Sequence, residues 1–334
     1  MRLIIVILMI GILMGGCHTT KGSAETVELE KITLGVESSL LPAAVWIAEN
    51  KGYFQEQGLD LTIKEFDSGR LSFLAMLKGD EGIDISTVAP TPIMFNSFDR
   101  QDFSIFATFV YSYDDVKVIA RRDKGITTAA DLRGKKVGTP VGTTGQFFLD
   151  AFLIHNKLLD SEVEMVDIAP SALPDALANN QVDAIVIWEP HGYNAQKLLG
   201  DNAIRLPSSE VYKETFNFMV MNDFAKDNPE TLKRFLRAID KATSYIIKRE
   251  PVSQEAHDIV AERLNINKEV MNVLWSDFVF ELSLQQALII TLEDEARWAL
   301  KNKLVNATEI PNYLNYIYFN ALYELNKGTV NVIH

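Results

Sequence analysis

Cysteine is almost absent from this chain of 334 residues, since Cys17 is its only one. A single cysteine excludes an intramolecular disulfide, and its position near the start excludes a cysteine nucleophile or cysteine-based zinc site in the folded body. The five histidines show no metal-ligand spacing such as H-E-x-x-H. The sequence therefore predicts no metal site, and nothing in it indicates a cofactor.

Positive charge is also in short supply, because 32 Lys and Arg face 45 Asp and Glu, for a net charge of −13. That balance excludes a nucleic-acid partner, since nothing could neutralise a row of phosphates. The phosphate-binding patterns G-x-x-x-x-G-K-[ST] and G-x-G-x-x-G are absent too. Any anion must be bound by local dipoles and a few donors.

The N-terminus carries an apolar run, residues 3–14, that is too short to cross a hydrocarbon core of roughly 30 Å. Arg2 precedes it and Cys17 follows Gly15 and Gly16, a pattern that resembles a bacterial lipoprotein signal, although Met14 stands where the pattern prefers Leu. We expect residues 1–17 to be a signal peptide ending at a lipidated Cys17. The protein would then be exported and anchored by lipid in the periplasm or at the cell surface. Plain cleavage near residues 22–24 is the alternative.

Polar residues 18–30 predict a flexible tether, and the chain then alternates short apolar runs with helical periodicity, which is typical of an α/β fold. Strands predicted at 32–36, 59–66 and 83–88 each end in a turn of small, hydroxylated or proline residues before a helix. In open α/β sheets, ligands bind at this edge.

A Gly/Thr-rich turn at residues 142–145 joins a short strand to a helix that begins near Phe147. Free backbone N–H groups of the first helical turn, together with threonine hydroxyls, can bind a small anion there. An ordinary capped turn has the same sequence pattern. A further strand at 182–188 ends in Trp188 and Glu189.

The pattern divides the chain into two lobes, with crossings near 116–121 and 216–222. The first lobe would comprise residues 31–115 and 222–334, and the second 116–221. From residue 228 onward the sequence predicts an almost wholly helical part, with helices at 229–248, 256–264, 268–279, 284–303 and 313–325. A ligand cleft would lie between the lobes.

Four segments in this order resemble the solute-binding proteins of ATP-binding-cassette (ABC) importers for nitrate, sulfonate and taurine, a family that includes thiamine-pyrimidine binders. The segments read PAAVWIAENKGYFQEQGLDLTIKEFDSG, IDISTVAPTPIMF, ITTAADLRGKKVGTPVGTTGQFFL and NNQVDAIVIWEPH. The resemblance implies a two-lobed periplasmic-binding-protein fold of the second topological type. It also implies a non-catalytic, monomeric protein that delivers a small solute to permease and ATPase subunits.

The resemblance places ligand contacts on turns that follow strands, at Glu37, Ser38, Ser39, Thr87, Ala89, Pro90, Thr91, Gly142, Thr143, Thr144, Trp188 and Glu189. The first turn differs from the family's usual Gly-aromatic-Gln motif, because its sequence here is Val36-Glu37-Ser38. A carboxylate beside an anion site suits a zwitterion such as taurine better than nitrate.

Several alternatives stay open. The ligand could be a thiamine-pyrimidine precursor, the protein could be a sensor subunit, and enzymes share the fold, although those that resemble this chain need cysteines that it lacks. Trp188 could be a core aromatic, Glu189, Ser38 and Thr91 could only cap helices, and residues 114–115 fit a solvated turn.

Overall fold

The computed structural model describes residues 28–208, 211–248 and 252–333. The predicted signal peptide, Cys17 and tether residues 18–27 lie outside the described residues.

Two β-sheets organise the described chain. The first contains β1 (Glu30–Glu37), β2 (Leu59–Phe66), β3 (Ile85–Val88), β4 (Phe103–Ser112), β10 (Glu214–Met221) and β11 (Phe278–Ser283). The second contains β5 (Lys117–Arg121), β6 (Lys136–Thr139), β7 (Glu164–Asp167), β8 (Ala184–Ile187) and β9 (Ala203–Leu206).

Helices cover both sheets. They are α1 (Ala43–Asn50), α2 (Tyr53–Glu56), α3 (Gly69–Lys78), α4 (Pro90–Ser97), α5 (Thr144–His155), α6 (Leu173–Ala178), α7 (His191–Leu199), α8 (Asn222–Asp227), α9 (Pro229–Ile246), α10 (Val252–Arg263), α11 (Lys268–Trp275), α12 (Gln286–Lys301) and α13 (Asn320–Leu325).

The strand order is β2-β1-β3-β10-β4-β11 in the first sheet and β7-β6-β8-β5-β9 in the second. The five strands of the second sheet follow the same arrangement as the first five of the first sheet, to which β11 adds an edge strand. In the first sheet β1 pairs in parallel with β2 and β3, and β10 returns from the other lobe to pair antiparallel with β3. In the second sheet β6 pairs in parallel with β7 and β8, and β5 enters from the first lobe to pair antiparallel with β8. The carboxyl ends of the parallel strands therefore lie where the chain crosses between lobes. The α/β fold of two lobes is confirmed.

The second crossing differs from the sequence prediction. β10 pairs with β3 and β4 and so belongs to the first sheet, which places the crossing between Leu206 and Glu214 instead of at 216–222. An apolar run such as FNFMVM has the same pattern in either sheet, so periodicity alone could not assign it.

In the almost wholly helical C-terminal part, the predicted helix at 268–279 is wrong at its end. Helix α11 stops at Trp275, and Phe278–Ser283 forms the edge strand β11, antiparallel to β4. Residues 313–325 divide into a short 3₁₀ turn, Tyr313–Tyr316, and α13. Phe278 and Phe280 are buried while Val279 between them is exposed, which is the alternation of a strand with one covered face.

Each lobe has its own apolar core. In the first, Phe218 packs edge-on against Phe235 of α9 with ring centroids 5.0 Å apart, and Phe54 and Phe106 join them. In the second, Phe148 of α5 is buried with the residues that cover β6 and β8. The lobes meet where α5 contacts α12: Trp298 Nε1 donates to Asp150 Oδ2 at 2.7 Å.

Candidate functional site

A small cavity of about 20 Å³ lies between the lobes, at the strand ends where the chain crosses. Both sheets and the helices that follow them contribute to its lining, which consists of Glu37, Ser68, Gly69, Arg70, Ala89, Pro92, Thr143, Thr144, Trp188, Glu214 and Phe216. Five of these were predicted as ligand contacts: Glu37, Ala89, Thr143, Thr144 and Trp188.

Four polar atoms in this lining are buried without a well-formed hydrogen bond to a described residue, although the Thr144 hydroxyl lies beside the Glu214 carboxyl and the Ser39 hydroxyl beside that of Glu37. They are Glu37 Oε1, Glu214 Oε2, Thr144 Oγ1 and Trp188 Nε1, and we call them the open atoms. An unpartnered buried polar atom costs about 1–3 kcal/mol, so a set that converges on one cavity indicates a place where a ligand supplies the missing bonds.

Glu37 is the last residue of β1, and its carboxylate turns into the cavity with only 7% of the residue exposed. Its Oε2 accepts a hydrogen bond from the backbone N–H of Gly69 at 3.0 Å, while Oε1 is an open atom. Burial raises the pKa of Glu37 to about 7, and the Gly69 N–H opposes part of that rise. The side chain therefore changes charge near neutral pH.

Glu214, which the sequence analysis missed, is the first residue of β10 and is equally buried. Burial and the neighbouring Asp115 raise its pKa well above the usual range, and the Thr144 hydroxyl opposes part of the rise. Its period-two relation to Phe216 and Phe218 was the available signal, because alternate residues of a strand share one face. Such a signal shows a shared face without showing that a cavity opens there.

The predicted anion cradle at the start of α5 is largely closed by its own residues. The Thr143 hydroxyl donates to the Pro140 carbonyl at 2.7 Å and accepts from the Gly145 N–H at 3.2 Å. The Gly142 N–H donates to Gln146 Oε1 at 2.9 Å. The Gly142 and Gly145 N–H groups and the Thr143 hydroxyl are thus bonded within the turn, whereas the Thr144 hydroxyl reaches the cavity as an open atom.

Trp188 follows β8 and forms an aromatic wall of the cavity, with 5% of the residue exposed and its Nε1 an open atom. The opposite lobe contributes Phe216 to the same lining. His191 stands edge-on to Trp188, with ring centroids 6.5 Å apart, and its burial lowers its pKa below the ordinary value. A neutral imidazole and two aromatic rings suit a flat or partly apolar ligand.

Arg70, in the first turn of α3, lines the cavity and also an outer groove of about 560 Å³. Its guanidinium takes part in no ion pair with any described residue. Gly142 from the other lobe approaches it so closely that a Cβ there would lie 3.1 Å from Arg70 Nε, and the backbone φ of Gly142 is +74°. A glycine satisfies both demands, and Arg70 remains available to an anionic group of a ligand.

The other predicted contacts in the first lobe lie outside the cavity lining. Ser38 borders a separate groove with Pro190, while the Ser39 hydroxyl accepts from the Leu41 N–H at 3.3 Å. Thr87 Oγ1 donates to the Gly35 carbonyl at 3.5 Å.

Pro90 and Thr91 form the first turn of α4 and are buried. In the second lobe, Gly142 lines the outer groove, and Glu189 points away from the cavity into an ion cluster.

That ion cluster is centred on Lys117, whose side chain is 3% exposed. Its Nζ lies 2.9 Å from Glu189 Oε1 and 2.6 Å from Asp277 Oδ2, so it joins the second lobe to the segment before β11. The prediction of a solvated turn at residues 114–115 is wrong for Asp115, which is buried and accepts the Glu189 N–H at 3.1 Å. The cluster therefore fixes the crossing segment beside the cavity.

The part of the chain that the structure describes holds no group of three or more His, Cys, Asp or Glu arranged to bind a metal. Within residues 28–208, 211–248 and 252–333, no helix combines the length and apolarity that crossing a bilayer requires.

Comparison with known proteins gives a family match and relatives along most of the chain. The family model described as "NMT1/THI5 like" matches residues 42–252. A Bacillus subtilis (strain 168) protein described as binding aliphatic sulfonates is 25% identical over 312 residues, 91% of each chain. The taurine-binding periplasmic protein of Escherichia coli (strain K12) is 26% identical over 220 residues, 64% of this chain and 66% of the relative.

A yeast relative from Saccharomyces cerevisiae, a 4-amino-5-hydroxymethyl-2-methylpyrimidine phosphate synthase, is 27% identical over 221 residues, covering 61% of this chain and 62% of its own. Among solved structures, the alkanesulfonate-binding protein from Xanthomonas axonopodis pv. citri has a TM-score of 0.73 at 17% identity, covering 87% of this chain and 99% of that one. The likeness confirms the periplasmic-binding-protein fold.

Proposed function

Because the chain belongs to the NMT1/THI5-like family, we propose that it is the solute-binding component of an ABC importer and closes its lobes around a small organic anion or zwitterion of the sulfonate and taurine kind. One observation carries the proposal: the cavity between the lobes contains four open atoms contributed by both lobes. The relatives named for sulfonates and taurine support the same class of solute.

The cavity offers hydrogen-bond donors and acceptors in separate places. Arg70, the Trp188 indole and the Thr144 hydroxyl can donate to an acidic group, while Glu37 can accept from an ammonium group. Hydrogen bonds to charged groups contribute about 1.5–3 kcal/mol each, so three or four, less the cost of ordering the ligand, approach the roughly 8 kcal/mol of micromolar affinity.

Seven predicted contacts lie outside the lining, and we propose that they belong to the turns that hold the lining residues in place. They are Ser38, Ser39, Thr87, Pro90, Thr91, Gly142 and Glu189. Glu189, for example, accepts the Tyr193 N–H at 2.7 Å and so fixes the turn that presents Trp188.

We also propose export and membrane anchoring through a lipidated Cys17, with delivery of the solute to permease and ATPase subunits by a monomeric binding protein. The exported, periplasmic relative supports this localisation. Two acyl chains or more would anchor the protein stably, since each buried methylene contributes about 0.8 kcal/mol.

A thiamine-pyrimidine precursor is the second candidate ligand, and the aromatic walls favour it. A flat ring between Trp188 and Phe216 could present amino groups to the carboxylates of Glu37 and Glu214. The relative named as a yeast pyrimidine phosphate synthase supports this second candidate.

A thermal-shift and calorimetry screen of residues 24–334 tests the proposed function. The panel contains taurine, alkyl and aryl sulfonates, nitrate, aromatic carboxylates and thiamine pyrimidines. A ligand at 100 times its Kd should stabilise the protein by about 2.7 kcal/mol. Thr144→Val should weaken the binding of that ligand roughly fivefold by removing one hydrogen bond, whereas Thr62→Val on the exposed face of β2 should not change it. No stabilisation by any member of the panel would contradict the proposal.

A further inference from the structure

Two carboxylates share the cavity without a cation of their own. Glu37 stands at the end of β1 and Glu214 at the start of β10, and one oxygen of each is an open atom. Lys117, the buried cation of the ion cluster, is already bound to Glu189 and Asp277. The side chains are at least nine-tenths buried, so water does not screen them as it would on the surface.

The groups around the pair are further carboxyls. Asp67 and Asp115 face Glu37 and Glu214, and Glu295 lies near Glu214 from α12. Arg70 is the one cationic side chain in the lining of the cavity. Counting Glu37, Glu214 and Arg70, the lining has a formal charge of −1 when both carboxyls are ionised.

We propose that Glu214 and Glu37 together form a subsite for a cationic nitrogen with at least two N–H groups, an ammonium or an amidinium, and that the ligand directs its acidic or polar end toward Arg70. This inference rests on the proposed function and narrows it, because it excludes sulfonates that lack an amine. A carboxylate on each side of the nitrogen accepts one N–H each, which satisfies both open oxygens at once.

The free carboxyls are partly protonated near neutral pH, since burial raises the pKa of Glu37 to about 7 and that of Glu214 upward as well. A bound cation favours the ionised carboxylates and therefore displaces their protons. A bound anion favours the protonated carboxyls and takes protons up. The sign of proton exchange thus reports the charge of the group that enters the subsite.

Calorimetry on the mature chain with taurine and with 2-hydroxyethanesulfonate tests the inference, because the two probes differ only in the amine. The amidine-bearing probe 4-amino-5-hydroxymethyl-2-methylpyrimidine is the third. We expect taurine or the pyrimidine to bind at least tenfold more tightly than 2-hydroxyethanesulfonate. At pH 7 we expect proton release, measured as a difference in binding heat between two buffers of unequal ionisation enthalpy.

Glu214→Gln keeps the size of the side chain and removes its charge, so it should reduce the affinity for the amine probe at least tenfold and diminish proton release. Glu37→Gln provides a second test of the same subsite. Glu164→Gln, on the exposed strand β7, is the matched control and should bind as the parent does. Retention of the cooperative thermal transition confirms that each variant is folded.

Equal or tighter binding of 2-hydroxyethanesulfonate, or proton uptake on binding, would overturn the inference and leave the proposed function standing. An unchanged amine affinity in both glutamine variants would overturn it too. No binding by any of the three probes, in a protein that also fails the wider screen, would overturn the proposed function together with the inference.

Discussion

Lys117 shows how a single residue beside the cavity controls its surroundings. Its ammonium is held between Glu189 and Asp277 and also donates to the Asp114 carbonyl at 2.7 Å. These partners raise its pKa in spite of an opposing desolvation effect, which is the largest single contribution. The cost of burying a lysine is therefore offset by a complete set of partners.

Lys117→Met should destabilise the protein by about 3–5 kcal/mol, because it leaves two carboxylates buried without their cation. Urea unfolding measures the change. Lys136→Met is the control and should cost less than about 1 kcal/mol, since its pair with Glu164 is solvent-exposed.

The double variant Lys117→Met, Glu189→Gln should recover part of the lost stability, because it removes one of the stranded charges. A loss of under 1 kcal/mol in the single variant would show that the cluster contributes little.

Glu37 was predicted as a ligand contact because it lies at the end of a strand, and it does line the cavity. Glu214 was not predicted, because it lies at the start of a strand and not at the end. That strand returns antiparallel from the other lobe, so its start faces the cleft. Which end of a strand faces the cleft depends on direction, and hydrophobic periodicity does not report direction.

The helix α9 (Pro229–Ile246) is an element whose existence and extent the sequence predicted well. Pro229 at its first position and the apolar spacing of Leu232, Phe235 and Leu236 are typical of an amphipathic helix. Asn228 precedes the helix as a cap residue would, but its side chain donates back to the Phe224 carbonyl at 3.1 Å instead of accepting from the helix.

Phe235→Ala should destabilise the protein by about 3–5 kcal/mol, because Phe235 is fully buried against three other phenylalanine rings. Arg237→Ala on the exposed side of the same helix should change the stability by less than about 0.5 kcal/mol. Guanidinium unfolding compares the two. Similar losses in both variants would contradict the assignment of the apolar face.

Strand β11 is the element for which the sequence pattern gave a wrong prediction. Residues 268–279 carry a helical pattern up to Trp275, and the change of period occurs within a few residues. The strand forms because β4 offers an unpaired edge for Phe278 and Phe280, and a long-range partner of this kind overrides local preference.

The whole molecule carries several buried carboxyls with raised pKa values, which sets an unusual dependence of stability on pH. Burial raises the pKa of Glu37 to about 7 and that of Glu295 to about 8. The folded protein therefore retains protons that the unfolded chain has already released, so its stability falls as pH rises through this range. His191, whose pKa is lowered, titrates below about 6.5, outside the range.

We expect the free energy of unfolding of the ligand-free protein to fall between pH 6.5 and pH 8, by about 1.4 kcal/mol per pH unit for each proton retained. Urea midpoints at fixed ionic strength measure the slope. Glu295→Gln should flatten it, because the amide keeps an acceptor for the Tyr212 hydroxyl without titrating. A stability that is constant or rises over this range would contradict the prediction.

The sequence by itself determined the α/β class, the two lobes, most helices and strands, and the family, because these depend on local periodicity, turn chemistry and an ordered set of motifs. Only the tertiary structure decided which turn residues meet. It engaged Thr143 and Gln146 in hydrogen bonds within the turn before α5, buried Asp115, and placed Glu214 with Glu37 in the lining of one cavity. Each of these outcomes depends on strand direction or on a partner distant in the chain, which no window of neighbouring residues contains.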